Sequence, residues 1–367
     1  MIIRLKQITA AAGAFVLGVA VLIMSENVRR GVIDSIDLCI STVIPSLFLF
    51  TVIANLALKS GLCEAVGKLA HKFSQKIFNL SGEQFAVFLL SLFSGYPVGA
   101  GLVTELLKLG KISQYQARRM ICFCVSAGPA FVIVAVGEAA LGHRSDGYRL
   151  FAAHLISSVL LCFSTGILSR IFDKRKQPQP IKPCMTPENR NIAAVSFSEN
   201  FTASAINAAK SMFNVCTFVI VFGALGRLIT TDSLPLSPFG VNFMRGITEV
   251  TAGVHLFGRG RLPLIAFLLG FGGISVHFQV LSIAAETKVK YFLFLLSRLT
   301  HGVISATVIG IWELICPRYI DTAVTHTPTA SLNGSPLATV SMLLLGVVLI
   351  VYSSKSRQNF AKSDTSC

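Results

Sequence analysis

Glu249, Ser275, His277 and Gln279 are the residues of this chain whose chemistry is least at home in their surroundings. Glu249 stands in the mildly apolar stretch Gly246-Ile-Thr-Glu-Val-Thr-Ala-Gly253. It can accept hydrogen bonds from a polar solute, carry a proton, or sit as an ordinary carboxylate at a water boundary. Ser275, His277 and Gln279 follow the glycine cluster Gly270-Phe-Gly-Gly273. They alternate along the chain, so an extended backbone would point all three to one side. A His or Gln at membrane depth is costly unless paired. An interhelical bond and a solute ligand are both open for them, and Gly273 belongs to the same break.

The first half carries a matching interruption. The apolar run from Phe88 is broken at Ser94-Gly-Tyr-Pro-Val-Gly-Ala-Gly101. Pro97 removes a backbone donor, while Gly95, Gly99 and Gly101 permit close approach and unusual dihedrals around Tyr96. The amides and carbonyls freed at such a tip need partners, which a polar solute can supply. A tight helix crossing through small residues is the alternative. Further along, Ser126-Ala-Gly128-Pro129 interrupts the apolar stretch 120–141 near its middle, and Pro45 does the same in 32–58. Arg298 and His301, three residues apart, share one helix face and are further candidates.

Helices must position these breaks. Ser81 with Gln84 forms a capping-box pattern that starts a helix before Phe85, and Ser113 with Gln116 repeats it. Between Phe85 and the first break lie about a dozen residues, roughly 18 Å of helix, too short to cross a bilayer. A second limb, Leu102 to Leu109, ends at Gly110, and Pro263 is placed as a first-turn proline. One or two re-entrant hairpins are therefore expected, near 82–110 and near 262–286. Broken backbone at membrane depth survives only where protein buries it or a cavity meets it, and two such breaks in corresponding halves point to a transporter-type site.

Composition sets the frame. Of 367 residues 53% are hydrophobic and 13% charged, with mean hydropathy +0.69, against about 25% charged in soluble chains. This is an all-α polytopic membrane protein. Apolar stretches of crossing length begin near Ile8, Val32, Met120, Tyr148, Ala205, Tyr291 and Leu337. With 262–285 ambiguous, seven or eight crossings are expected; either 239–257 or 262–285 must cross to return the basic tail to the cytoplasm. The net charge of +15 lies in loops, where it reports topology and contact with anionic lipids. No basic stripe with interleaved aromatics exists, which excludes nucleic acid as a partner. The nine cysteines show no CxxC spacing and are expected as small buried hydrophobes.

Arg4 and Lys6 precede an apolar run from Ile8 to Met24. No small-residue cleavage site follows, so an uncleaved helix over 1–30 is expected. The segment 173–200 opens with Asp173-Lys-Arg-Lys-Gln-Pro-Gln-Pro-Ile-Lys-Pro and reads as a basic cytoplasmic linker. It separates 31–172 from 201–315, followed by a loop and helix over 316–352 and a tail over 353–367. At an offset of 170, Ile36, Ser41 and Phe48 align with Ile206, Ser211 and Phe218; at 179, Phe88-Leu89-Leu90 aligns with Phe267-Leu268-Leu269. Two divergent repeats are expected. With a cytoplasmic N-terminus and linker, their orientation would be inverted.

No nucleotide loop, metal cluster or nucleophile triad is present in the sequence, so neither catalysis nor a cofactor nor a metal is expected.

Phe93-Ser-Gly-Tyr-Pro-Val-Gly-Ala100, Ala127-Gly-Pro-Ala-Phe131, Gly246-Ile-Thr-Glu249 and Leu269-Gly-Phe-Gly-Gly-Ile-Ser-Val-His-Phe-Gln-Val-Leu-Ser282, with Val43-Ile-Pro-Ser-Leu-Phe48 and Ser297-Arg-Leu-Thr-His-Gly302, resemble the YlbJ-type sporulation integral membrane proteins. The resemblance runs from about residue 12 to 352. That family is similar to the nucleoside-recognition, or Gate, domains of concentrative nucleoside transporters and of ferrous-iron transport proteins. It implies an endospore-forming bacterium and a plasma or forespore membrane, and fixes no substrate. Two positions depart from it: Val125 and Ser126 stand where asparagine is usual, and Phe278 where a small residue is expected. The expectation is a permease or channel whose two hairpin tips meet and bind a small polar solute through Gly95, Tyr96, Pro97, Gly99, Ser126, Gly128, Glu249, Gly273, Ser275, His277 and Gln279. A non-transporting scaffold or signalling protein of envelope assembly is the alternative, and self-association is left open.

Overall fold

The computed structural model describes residues 2–60, 62–172, 197–230 and 237–316, and among them every regular element is a helix. The expectations placed on the 173–200 linker up to residue 196, the 316–352 helix beyond residue 316 and the tail lie outside the described residues.

Helix α1 covers Ile2–Ile23 and α2 covers Ser25–Leu38. A π-helical stretch, Cys39–Val43, joins α2 to α3 (Ile44–Lys59), and the whole forms one 35-residue helix. Pro45 sits in the first turn of α3. It leaves the preceding turn short of a donor, and the wider π turn just before it absorbs that loss without breaking the helix.

Helix α4 (Leu62–Phe78) ends at Asn79, which takes the left-handed φ of 53°. Its last carbonyls would otherwise be orphaned. Arg119 donates to the Phe78 and Asn79 carbonyls at 3.0 and 2.7 Å, and Arg170 donates to those of Gln75, at 2.7 Å, and Lys76. Helix α5 (Gly82–Ser94) then starts from the Ser81–Gln84 capping box, with both reciprocal bonds present. It leaves α4 at 87°.

At Gly95 the chain folds back into α6 (Tyr96–Lys108). A Cβ on Gly99 would lie 2.9 Å from Ser91 Cβ and 1.8 Å from the Cys124 carbonyl oxygen. The limbs therefore close through a glycine, as a re-entrant hairpin requires. Gly101 has nothing nearer than 3.8 Å, so the close approach expected there is absent. Helix α7 (Gln114–Ile121) begins at the second capping box and unwinds over 122–128; a π-helix, Ala130–Ala140, follows. Helix α8 (Arg144–Phe172) is long and apolar enough for a full crossing.

After 173–196 comes α9 (Phe197–Ile229), which packs along α2 and α3. Helices α10 (Pro238–Thr248) and α11 (Val250–Leu256) form the second fold-back, about Glu249. A Cβ on Gly253 would stand 2.0 Å from Gly246 Cα, so only glycines let these limbs touch. Helices α12 (Leu262–Phe271) and α13 (Gly273–Ile283) are broken at Gly272, φ 85°, yet together are long and apolar enough to cross. Helix α14 (Tyr291–Ile315) completes the described residues.

Thus 262–283 is a broken span, and the hairpin of the second half is α10–α11. Gly270 explains the difference: a Cβ there would meet Gly302 Cα at 2.6 Å, so α12 is held flat on α14 instead of folding back. The alignment of Phe88–Leu90 with Phe267–Leu269 accordingly joins a hairpin limb to a spanning limb.

Five helices among the described residues can cross a membrane, or six if the bent pair α4–α5 is counted. The apolar part of α1, Gln7–Ile23, and the π-helix Ala130–Ala140 fall short of that length. The chain is a multi-pass helical membrane protein.

Candidate functional site

The two fold-back tips meet. A cavity of about 30 Å³ lies where Gly95, Tyr96 and Pro97 face Glu249, Val250 and Thr251. Gly128 closes it from the unwound segment, Phe131 from the π-helix that follows, Val276 and Gln279 from α13, and Val43, Leu47, Val215 and Val219 from the long helices. That is room for a water or two.

Each tip is steadied by a broken helix. Gly128 abuts the first: a Cβ there would be 3.2 Å from Gly95 N and from the Phe93 carbonyl oxygen. Gly273 abuts the second, where a Cβ would be 3.0 Å from Val250 N. The halves are joined by Tyr96, whose hydroxyl donates to the Leu269 carbonyl at 2.6 Å. Gly95 itself adopts φ 92° and ψ 163°, a conformation that a Cβ strains, with Leu47 Cδ2 3.2 Å from where that Cβ would be.

Glu249 is 2% exposed and caps α11, its two carboxylate oxygens accepting from Thr251 N at 3.1 Å and Ala252 N at 2.7 Å. It also lines a second cavity of about 170 Å³, between α2, α9 and the α10–α11 hairpin. Asp34, Arg227 and Arg245 contribute charge there, and Arg227 pairs with Asp34 across α9 and α2. One buried carboxylate is therefore in the wall of both cavities, with an ion pair beyond it.

Of the residues singled out in the sequence, Gly95, Tyr96, Pro97, Gly128, Glu249 and Gln279 line the central cavity. Gly99, Ser126, Gly273, Ser275 and His277 do not. The reason is secondary structure: α13 is helical from Gly273 onward, so alternate residues diverge. Ser275 and Gln279 share a face, and Gln279 Nε2 donates to Ser275 Oγ at 3.0 Å. His277 turns away to pair with the Phe271 carbonyl at 3.0 Å, which satisfies an acceptor left at the break. Phe278 faces Phe218 and Phe222 on α9, with 47% of its surface exposed.

Behind the cavity lies a buried polar layer. Arg298, fully buried, donates to the Val125 carbonyl at 2.5 Å and to that of Cys122 at 2.6 Å. His154 accepts from Ala127 N at 2.8 Å, so its proton belongs on Nδ1. The His154 and His301 rings stack at 4.3 Å. Ser305 donates to Ser157 at 2.9 Å, and Ser126 is 3.5 Å from Ser158. Arg298 and His154 thereby partner the backbone freed at Cys122, Val125 and Ala127. His154 escaped notice because a single His in a long apolar helix carries no spacing signal; Asp34, Arg227 and Arg245 were missed because their convergence depends on how three helices pack. Among the described residues no group of three His, Cys, Asp or Glu could hold a metal.

No family model matches the chain, and no solved structure matches it. It is similar to the sporulation integral membrane protein YlbJ of Bacillus subtilis (strain 168), with 27% identity over 337 residues, 81% of this chain and 80% of that protein. That similarity, with the all-helical membrane architecture, supports a YlbJ-type protein.

Proposed function

We propose that the chain is a permease or channel for a small polar solute bound between the tips at Gly95 and Glu249, acting in the membranes of a sporulating cell. The observation that carries this reading is the convergence of two fold-backs and two helix breaks on one cavity, with Glu249 and Gln279 in its wall. Broken backbone offers amides and carbonyls that an intact helix withholds. The cavity is narrow, so a solute larger than a few waters would widen the gap between the tips. Glycines at several of the contacts, Gly95, Gly128 and Gly273 among them, keep those points free of interlocked side chains.

A second reading has its own support. Seven of the cavity's fourteen lining residues are Val, Leu or Phe, as a sealed packing interface would have. On that reading the protein scaffolds or signals in envelope assembly.

Uptake into proteoliposomes separates the two. The panel holds nucleosides, nucleobases, divalent cations and small spore acids such as dipicolinate. Uptake of one solute, lost in Gly95→Leu and in Gln279→Ala, supports transport. Silence from folded protein across the panel favours the scaffold.

A further inference from the structure

Helix α4 buries one face on protein and leaves the rest of its circumference largely open. Gly67, Ser74 and Phe78 are buried, with the Gly67 carbonyl so close to Gly82 that a Cβ on Gly82 would clash. Leu69 and Phe73, four residues apart on a second face, are 92% and 53% exposed, the Phe73 ring resting edge-on against Phe78 and Phe85 on its inner side. Lys68, Lys72 and Lys76, again four apart, form an exposed strip beside them, with His71 and Gln75 further round. A helix dissolved in water would not leave Leu69 bare, and one crossing a bilayer would not carry this strip.

The geometry explains both. Helix α4 meets α5 at 87°, and α5 is the apolar limb that enters the membrane. A helix perpendicular to it lies in the membrane plane, apolar edge toward the acyl chains and lysines at headgroup level. At this corner is an open cavity of about 620 Å³, lined by Lys68, His71, Lys111, Ser81 and Glu83 with Gly67 and Gly82. Lys111 lies 3.5 Å from Glu83, and Lys68 adds a further cation to the lining.

We propose that α4 lies at the membrane surface and that the cavity between Lys68 and Lys111 holds the phosphate of an anionic phospholipid, with Leu69 and Phe73 against its acyl chains. Charge complementarity names the headgroup and the adjoining bare apolar edge names a lipid. A free phosphate would use the lysines and leave that edge unexplained. Nothing in this assignment depends on solute transport.

The test is thermal unfolding of the full chain in nanodiscs of phosphatidylcholine alone, or with one third phosphatidylglycerol, with inorganic phosphate in detergent as a third arm. Phosphatidylglycerol is expected to raise the melting temperature by several degrees over phosphatidylcholine. The Lys68→Gln/Lys111→Gln variant should lose that increment while melting unchanged in phosphatidylcholine. Lys68→Arg/Lys111→Arg should retain it, which separates charge from a folding defect. Equal melting in the two lipids, an increment that survives in the Gln variant, loss of the increment in the Arg variant, or an equal shift from inorganic phosphate would each overturn the proposal.

Discussion

The Tyr96 hydroxyl donates a 2.6 Å hydrogen bond to the carbonyl of Leu269, tying the first fold-back to the last helical turn before the break at Gly272. Both groups are buried and far apart in sequence. The bond gives the carbonyl a partner at the point where α12 stops, and it fixes the first tip against the broken span. Any opening of the site has to keep this bond or replace it with water.

Tyr96→Phe tests its weight. The ring and its packing remain, but the Leu269 carbonyl loses its donor, at a cost of about 1–3 kcal/mol. Unfolding in mixed micelles should shift by that amount, and amide exchange near Gly272 should quicken. An unchanged exchange rate would show that the bond does not hold the break.

Arg298 carries a larger load. Its guanidinium serves the Val125 and Cys122 carbonyls at once. Arg298→Met should therefore destabilise the fold by about 3 kcal/mol or more, measured by unfolding or by protease resistance in detergent. Lys presents a point charge instead of a fork, so Arg298→Lys should recover only part of the loss.

The glycines sort by what a methyl would strike. Gly99→Ala places a carbon against the Cys124 carbonyl and should prevent folding, whereas Gly101→Ala meets nothing closer than Ile283. The second should be neutral or stabilising by about 0.5–1 kcal/mol, since alanine is the better helix former. Expression and monodispersity of the two variants check the difference.

Cys39 and Cys216 report on the long helices. Their thiols neighbour each other across the contact between the π-helical stretch and α9. Mild oxidation with copper phenanthroline should link this pair within one chain, as identified by peptide mapping. Its failure to form would mean that α9 does not sit against the π-helical stretch as described.

The breaks themselves were legible because glycine and proline act locally. Gly95, Pro97, Gly128 and Gly272 interrupt helices wherever the neighbours lie, and Ser81–Gln84 and Ser113–Gln116 start them by contacts within one turn. Whether a break becomes a fold-back or a bend was not legible. That depends on which glycine finds which partner: Gly246 meets Gly253 within its own hairpin, whereas Gly270 meets Gly302 on another helix. The same limit misplaced Ser275 and His277. Their alternation suggested one shared side only if the chain were extended, and the helical turn of α13 sends them apart.

The most direct test asks whether water reaches the tips, whatever the solute. Val276 lines the central cavity and is 3% exposed. A Val276→Cys variant, with the native cysteines replaced by alanine, would be treated in native membrane vesicles with a small hydrophilic thiol reagent, using Gln75→Cys on the exposed face of α4 as the labelling control. A site that opens predicts measurable labelling at 276, slower than at 75 and slowed further by introducing Gly95→Leu. A cysteine at 276 that stays unmodified while 75 reacts fully would contradict a solute site between Gly95 and Glu249, and would leave the sealed interface of a scaffold.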